Sequence, residues 1–247
     1  MLGVETAGLV IAGVLVVASG KPAPGAHEAI WALASGLAGV IGLGAFYRGL
    51  AVGTMSIVAP VSSTGVALPV LVGLIGGDRI SAGQALGLVC AVVGVVLAGR
   101  EASEDAESGA GARQGLLLAL AAAVGFGTYF VGAAEAAPGG VLWTVLLARV
   151  AAVPILALLA AVRRVPLVPA RTDALKLCLI GALDLGATGL YALATTKGDL
   201  AIVAVLGALY PVTTVLLARG LLGERLSRVQ DLGVLAALAG VALIVAG

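Results

Sequence analysis

Gly36-x7-Gly44-x-Phe46-x6-Gly53-x3-Ile57-Val58-Ala59 returns 145 residues later as Gly181-x7-Gly189-x-Tyr191-x6-Gly198-x3-Ile202-Val203-Ala204. With one more residue of slip, Asp78-Arg79-Ile80-Ser81-x2-Gln84-x2-Gly87-x6-Gly94 returns as Glu224-Arg225-Leu226-Ser227-x2-Gln230-x2-Gly233-x6-Gly240. A unit of five membrane helices fits a repeat of this length. An odd number of crossings makes successive units point opposite ways. Inverted copies in an apolar chain are the mark of secondary transporters, with the substrate site between the copies.

Composition agrees with a membrane setting. Hydrophobic residues make up 61% of the 247 and charged ones 11%, whereas a soluble domain carries about 25% charge. The 37 glycines would weaken a soluble core, but small residues let membrane helices approach closely. A net charge of +1 gives no basic footprint, so no nucleic-acid partner is expected. Cys90 and Cys178 both lie in apolar runs. Neither a disulfide framework nor a zinc site follows from them, and no cofactor or metal is expected.

Cutting the chain at charges and turn residues leaves nine apolar segments, near 2–18, 29–50, 55–76, 81–99, 115–136, 140–162, 174–196, 200–222 and 228–246. Most reach the ~20 residues that cross a hydrocarbon core. The first is shorter, but it has neither the basic start nor the cleavage site of a signal peptide. The expected fold is therefore all-α: a polytopic membrane protein of nine transmembrane helices in an inverted repeat of four plus five. Residues 1–99 form the first, incomplete copy, 100–113 a polar linker, and 114–247 the second copy.

FYRGLAVGTMSIVAPVSSTGVALPVLVGLIGGDR (46–79) and LYPVTTVLLARGLLGERLSRVQDLGVLAALAGVALIVAG (209–247) resemble the EamA domain of the drug/metabolite transporter superfamily. The resemblance runs from about residue 28 to the end of the chain. It implies a ten-helix carrier of small metabolites, amino acids or drug-like compounds among them, in a bacterial cytoplasmic membrane. The sequence departs from the family by lacking the first helix, which in the family helps line the central cavity. The expectation is that the start codon was assigned too late. Ten basic residues flank the even-numbered connections and only Lys21, Arg79 and Lys197 the odd ones, which puts Met1 in the cytoplasm. The resemblance implies a cytoplasmic C-terminus instead.

Two ionisable side chains lie deep in spans: Arg149 near the centre of 140–162 and Asp184 at the centre of 174–196. Equal depth on successive antiparallel helices lets them meet, and such charges pair or face a wet cavity. Either they form an ion pair that fixes packing, or Asp184 binds a substrate amine or a coupling proton while Arg149 holds a carboxylate through its planar donors. Glu135, near a helix end, is expected at the interface.

A second candidate is the proline-broken polar stretch Pro60-Val61-Ser62-Ser63-Thr64-Gly65, matched by Tyr210-Pro211-Val212-Thr213-Thr214. Proline frees a carbonyl that a bilayer tolerates only where protein or water satisfies it. Ser62, Ser63, Thr64, Tyr210 and Thr213 are therefore expected to approach one central space, unless the hydroxyls bond back to their own helices. Among the nine aromatics, Tyr129 and Tyr191 are expected either to line the cavity or simply to pack. Trp31 and Trp143 read as interfacial anchors. The stripes Gly83/Gly87/Gly94 and Gly233/Gly240 predict packing against a neighbouring helix.

The leading function is secondary transport of a small molecule by alternating access, with a proton as candidate coupling ion, by a monomer or homodimer. No Walker A pattern supports ATP-driven transport. His27 is the only histidine and lies in a loop, which argues against an intramembrane enzyme built on a Ser-His dyad or a His-ligated metal. A truncated, non-transporting membrane protein is the other alternative.

Overall fold

A computed structural model describes residues 1–53, 55–98, 110–164, 174–209, 212 and 227–246. Every regular element among them is helical: α1 (Leu2–Ser19), α2 (Ala26–Val52), α3 (Met55–Ser63), α4 (Ala67–Gly76), α5 (Ala82–Ala98), α6 (Ala110–Ala136), α7 (Val141–Val162), α8 (Ala174–Thr195), α9 (Leu200–Gly207) and α10 (Arg228–Ala246), with 3-10 turns at Thr64–Val66 and Ala137–Gly139. Five of these helices are long and apolar enough to cross a membrane, and shorter apolar helices accompany them. The protein is an all-α polytopic membrane protein. α6 starts inside the stretch expected as linker, taking in Ala110–Arg113, because alanine and arginine favour helix.

The described residues fall into two compact units that each draw on both sequence copies. The first is Met1–Val40 with Thr128–Gly198, and the second is Ile41–Gly127 with Asp199–Gly247. In the first, Glu5 and Gly8 of α1 meet Arg149 of α7, while Ala12 packs with Val145. Contacts that run forward on one helix and backward on the other mean antiparallel packing. In the second unit, a Cβ on Gly87 of α5 would meet Gly240 and Ile244 of α10, and one on Gly94 would meet Ala237 and Gly233. That pair is antiparallel as well. The matched helices of the two copies, α1 with α7 and α5 with α10, thus run in opposite directions, as an inversion requires.

Glycine carries this contact for a simple reason. In lipid there is no hydrophobic drive between helices, so association depends on backbones coming close. A Cβ on Gly240 would stand 2.5 Å from the Ala91 nitrogen and 2.6 Å from the Gly87 oxygen, so no side chain fits there. The helix starts repeat too. Ser81 and Gln84 exchange backbone-to-side-chain bonds (2.8 and 3.1 Å), as do Ser227 and Gln230 (3.0 and 3.2 Å). Both are reciprocal capping boxes that satisfy two free amides at the first turn.

The span expected over 55–76 is broken, as its prolines and polar run predict. α3 ends at Ser63, a 3-10 turn follows, and α4 resumes at Ala67. A Cβ on Gly65, inside the break, would collide with the Ala123 carbonyl of α6, which fixes glycine there. α4 closes at Gly77 in the left-handed region (φ 103°), with Asp78 N–H donating to Gly73 O at 3.0 Å. This Schellman ending aims the Asp78 carboxylate at α9, where Ala201 N–H donates to Oδ2 at 2.9 Å. The Asp199 side chain makes no capping bond of its own, so Asp78 caps α9 from another helix.

Four substitutions probe these devices. Gly94→Val should force α5 and α10 apart at a cost of about 1–3 kcal/mol, whereas Gly44→Ala, which meets nothing within 4 Å, should be near neutral; thermal unfolding in detergent compares them. Asp78→Ala should cost about 1 kcal/mol through the lost cap, and Asp78→Asn less, read from the same melting curves.

Candidate functional site

α1, α7 and α8 bring three charges together inside the first unit. Arg149 Nη2 donates to Asp184 Oδ2 at 2.5 Å, and Arg149 Nε stands 3.8 Å from Glu5 Oε2. The arginine side chain is 4% exposed, Glu5 21% and Asp184 47%. Arg149 Nε is buried and makes no hydrogen bond. Arg149 and Asp184 thus pair as their equal depth predicts, but Asp184 borders open space rather than lying fully enclosed.

Local sequence explains the seat. Gly8 is one turn beyond Glu5, and a Cβ there would collide with the Arg149 guanidinium. Gly36 of α2 lies against the Ala148 backbone, and Gly181 of α8 against Val4 and Gly8. These glycines let α1 lie close to α7 and α8, and α2 close to α7, around the Arg149 guanidinium. The repeat supplies the matched depth, because an offset of 145 puts Glu5 of the first copy one position from Arg149 of the second.

Tyr129 joins through Thr188. The phenol donates to Thr188 Oγ1 at 3.2 Å, and Thr188 Oγ1 donates to the Asp184 carbonyl at 3.0 Å. The Tyr129 ring lies over Gly39, which the repeat matches to Asp184. Tyr191 is buried and donates to Phe130 O at 3.2 Å, with its ring 4.9 Å from that of Phe130. It lies on α8 itself, packs on Phe130 of α6 and makes no bond to the charged side chains.

The hydroxyls of the broken span belong to the second unit. Ser62 is buried and donates to Val58 O at 2.7 Å, and Thr64 is exposed and donates to Val61 O at 2.6 Å. Both are back-bonds to their own turn. Ser63 is buried. Tyr210 and Thr213 lie outside the described residues. Glu135 sits 3.9 Å from His27, half-exposed near a helix end, and Trp143 Nε1 donates to Lys21 O at 3.4 Å. Glu5 and Thr188 are the members the sequence did not single out. Glu5 is the one acidic residue of the first apolar segment, a usable signal. Thr188 carries none, since its role depends on which way α8 faces.

Apolar helices long enough to span a membrane, with Arg149 and Asp184 paired between two of them, define a polytopic membrane protein. The chain belongs to the EamA-like transporter family, which it matches over residues 113–246. That region is the second copy. A solved crystal structure, described only as that of a protein, is similar to this chain with a TM-score of 0.79 at 19% identity, over 99% of this chain and 86% of the other. At that identity the likeness speaks for the fold alone. No curated protein matches the chain.

Removing the arginine alone should be the most damaging change in this cluster. Arg149→Gln leaves two carboxylates without a counter-charge; breaking a fully buried pair from one side costs about 3–5 kcal/mol, and the half-exposed Asp184 brings the cost below that range. Monodisperse protein recovered from membranes should fall sharply for Arg149→Gln. It should return in large part when Glu5→Gln and Asp184→Asn are added.

Proposed function

We propose that this protein is a secondary transporter that moves a small metabolite, an amino acid or drug-like compound, across a bacterial cytoplasmic membrane by alternating access. The observation that carries the reading is the charge balance of the cluster. Two carboxylates face one guanidinium within membrane-spanning helices, so the three side chains together carry one negative charge in excess when all are ionised. Unpaired charge at this depth costs about 2.5–3.5 kcal/mol on insertion scales, so the excess is most readily held by a proton or a cationic group that comes and goes.

Arg149 is too enclosed to take a substrate carboxylate, and its guanidinium is committed to Asp184. It acts in this reading as a positioning residue. Asp184, the open member, is the side from which the cluster is reached. A static clamp is the second reading, favoured by the 2.5 Å Arg149–Asp184 contact, in which the charges merely lock three helices. The substrate partner is a small molecule, and neither reading requires ATP.

Transport separates the two. Cells overproducing the protein are screened for altered tolerance to a panel of amino acids and amphipathic drugs, and flux of any responding compound is followed in proteoliposomes under an imposed pH gradient. Asp184→Asn should reach the membrane in folded form and lose gradient-driven flux. Wild-type flux with unchanged pH dependence in that variant would sink the coupling reading, and loss of folded protein would favour the clamp.

A further inference from the structure

The two carboxylates of the cluster are not equivalent. Asp184 meets the guanidinium at 2.5 Å, the short end of a charge-assisted bond. Glu5 stands 3.8 Å from Nε, beyond hydrogen-bond reach. It is also the more enclosed of the two, 21% exposed against 47%. The buried Nε points to the same side and bonds nothing, although a guanidinium N–H in an apolar bundle is costly to leave unpaired. The charged groups acting on Glu5 are Arg149 from α7, Asp184 from α8 and the Met1 amine of its own chain. Tyr129 from α6 stands near the same three charges and hydrogen-bonds Thr188.

We propose that Glu5, rather than Asp184, is the carboxyl of this cluster that gains and loses a proton, while Asp184 keeps its bond to Arg149. The proposal rests on the reading of the cluster as a coupling site. A proton from solvent forms an O–H bond on the Glu5 carboxylate, which leaves one carboxylate for one guanidinium and no excess charge. With nothing to hold it, Glu5 stands off, and Nε is unpaired, as the geometry has it. Release of the proton to solvent restores the negative charge, and Glu5 closes the gap onto Nε. Gly8 beside the guanidinium and Gly181 against Val4–Gly8 leave α1 no bulky side chain to drag through that closure.

Infrared difference spectroscopy on the protein in liposomes tests this without a known substrate. Acidification should produce a protonated-carboxyl C=O band that is present in the wild-type spectrum and missing from that of Glu5→Gln, and this band should move to lower frequency in wild-type protein made with carbon-13 glutamate and stay in place with carbon-13 aspartate. Glu5→Asp should transfer it to the aspartate label. No difference band between wild type and Glu5→Gln, or a difference band that follows the aspartate label, overturns the proposal. If Glu5→Gln does not fold, Glu5→Asp takes its place: against wild type it should lose intensity that follows the glutamate label and gain intensity that follows the aspartate label, and no such exchange overturns the proposal. Flux that ignores pH while the glutamate band remains would leave Glu5 as the proton-bearing group and remove the coupling role.

Discussion

A guanidinium cannot be deprotonated to escape an apolar environment, so the charge on Arg149 must be matched wherever the chain puts it. In this fold no residue of its own helix does so. Glu5 comes from α1 and Asp184 from α8, so one side chain ties three helices together. The depth of Arg149 along α7 thereby sets the register of its neighbours. If α8 slid by one turn against α7, Asp184 would leave a buried cation behind.

That constraint can be met only because the surrounding residues are small. Aspartate has a single methylene, so the long arginine side chain covers most of the distance between α7 and α8. Gly8, Gly36 and Gly181 let α1 close in on both helices and α2 on α7 around that pair, just as Gly87, Gly94 and Gly240 bring α5 and α10 together. Where the chain needs a polar anchor away from the charges, it takes one from a helix end. Asp78 leaves the Schellman turn of α4 and caps α9, joining two helices through one carboxylate that a helix N-terminus stabilises.

Much of the architecture was legible because its signals are long. Twenty-residue apolar runs, a 145-residue offset and repeated glycine spacings survive without knowledge of side-chain direction. The break at Thr64–Val66 was legible from Pro60, Pro69 and the hydroxyl run between them. Arg149 and Asp184 were legible as a pair because depth alone can be counted from the sequence. Helix facing cannot be counted, and the remaining differences lie there. Glu5 stands so near Met1 that depth by counting puts it at the membrane edge, yet α1 presents it to Arg149. Ser62 and Thr64 sit beside helix-breaking prolines, but each hydroxyl finds a carbonyl of its own turn 2.6–2.7 Å away, the cheapest partner in a bilayer.

The choice of arginine over lysine follows from the same geometry. An ammonium is a compact point charge, and drawn to 2.5 Å from Asp184 it would present little to a second carboxylate on another helix. The guanidinium is planar, with Nη and Nε donors pointing in different directions. It can hold Asp184 on one nitrogen while another faces Glu5. On the proposed reading this keeps the cation paired in both protonation states, because Asp184 never lets go while Glu5 approaches and withdraws. The charge that moves is then only a proton, whose arrival neutralises the cluster. No buried ion need cross an apolar surface uncompensated, and the cost of switching stays within what a few hydrogen bonds can supply.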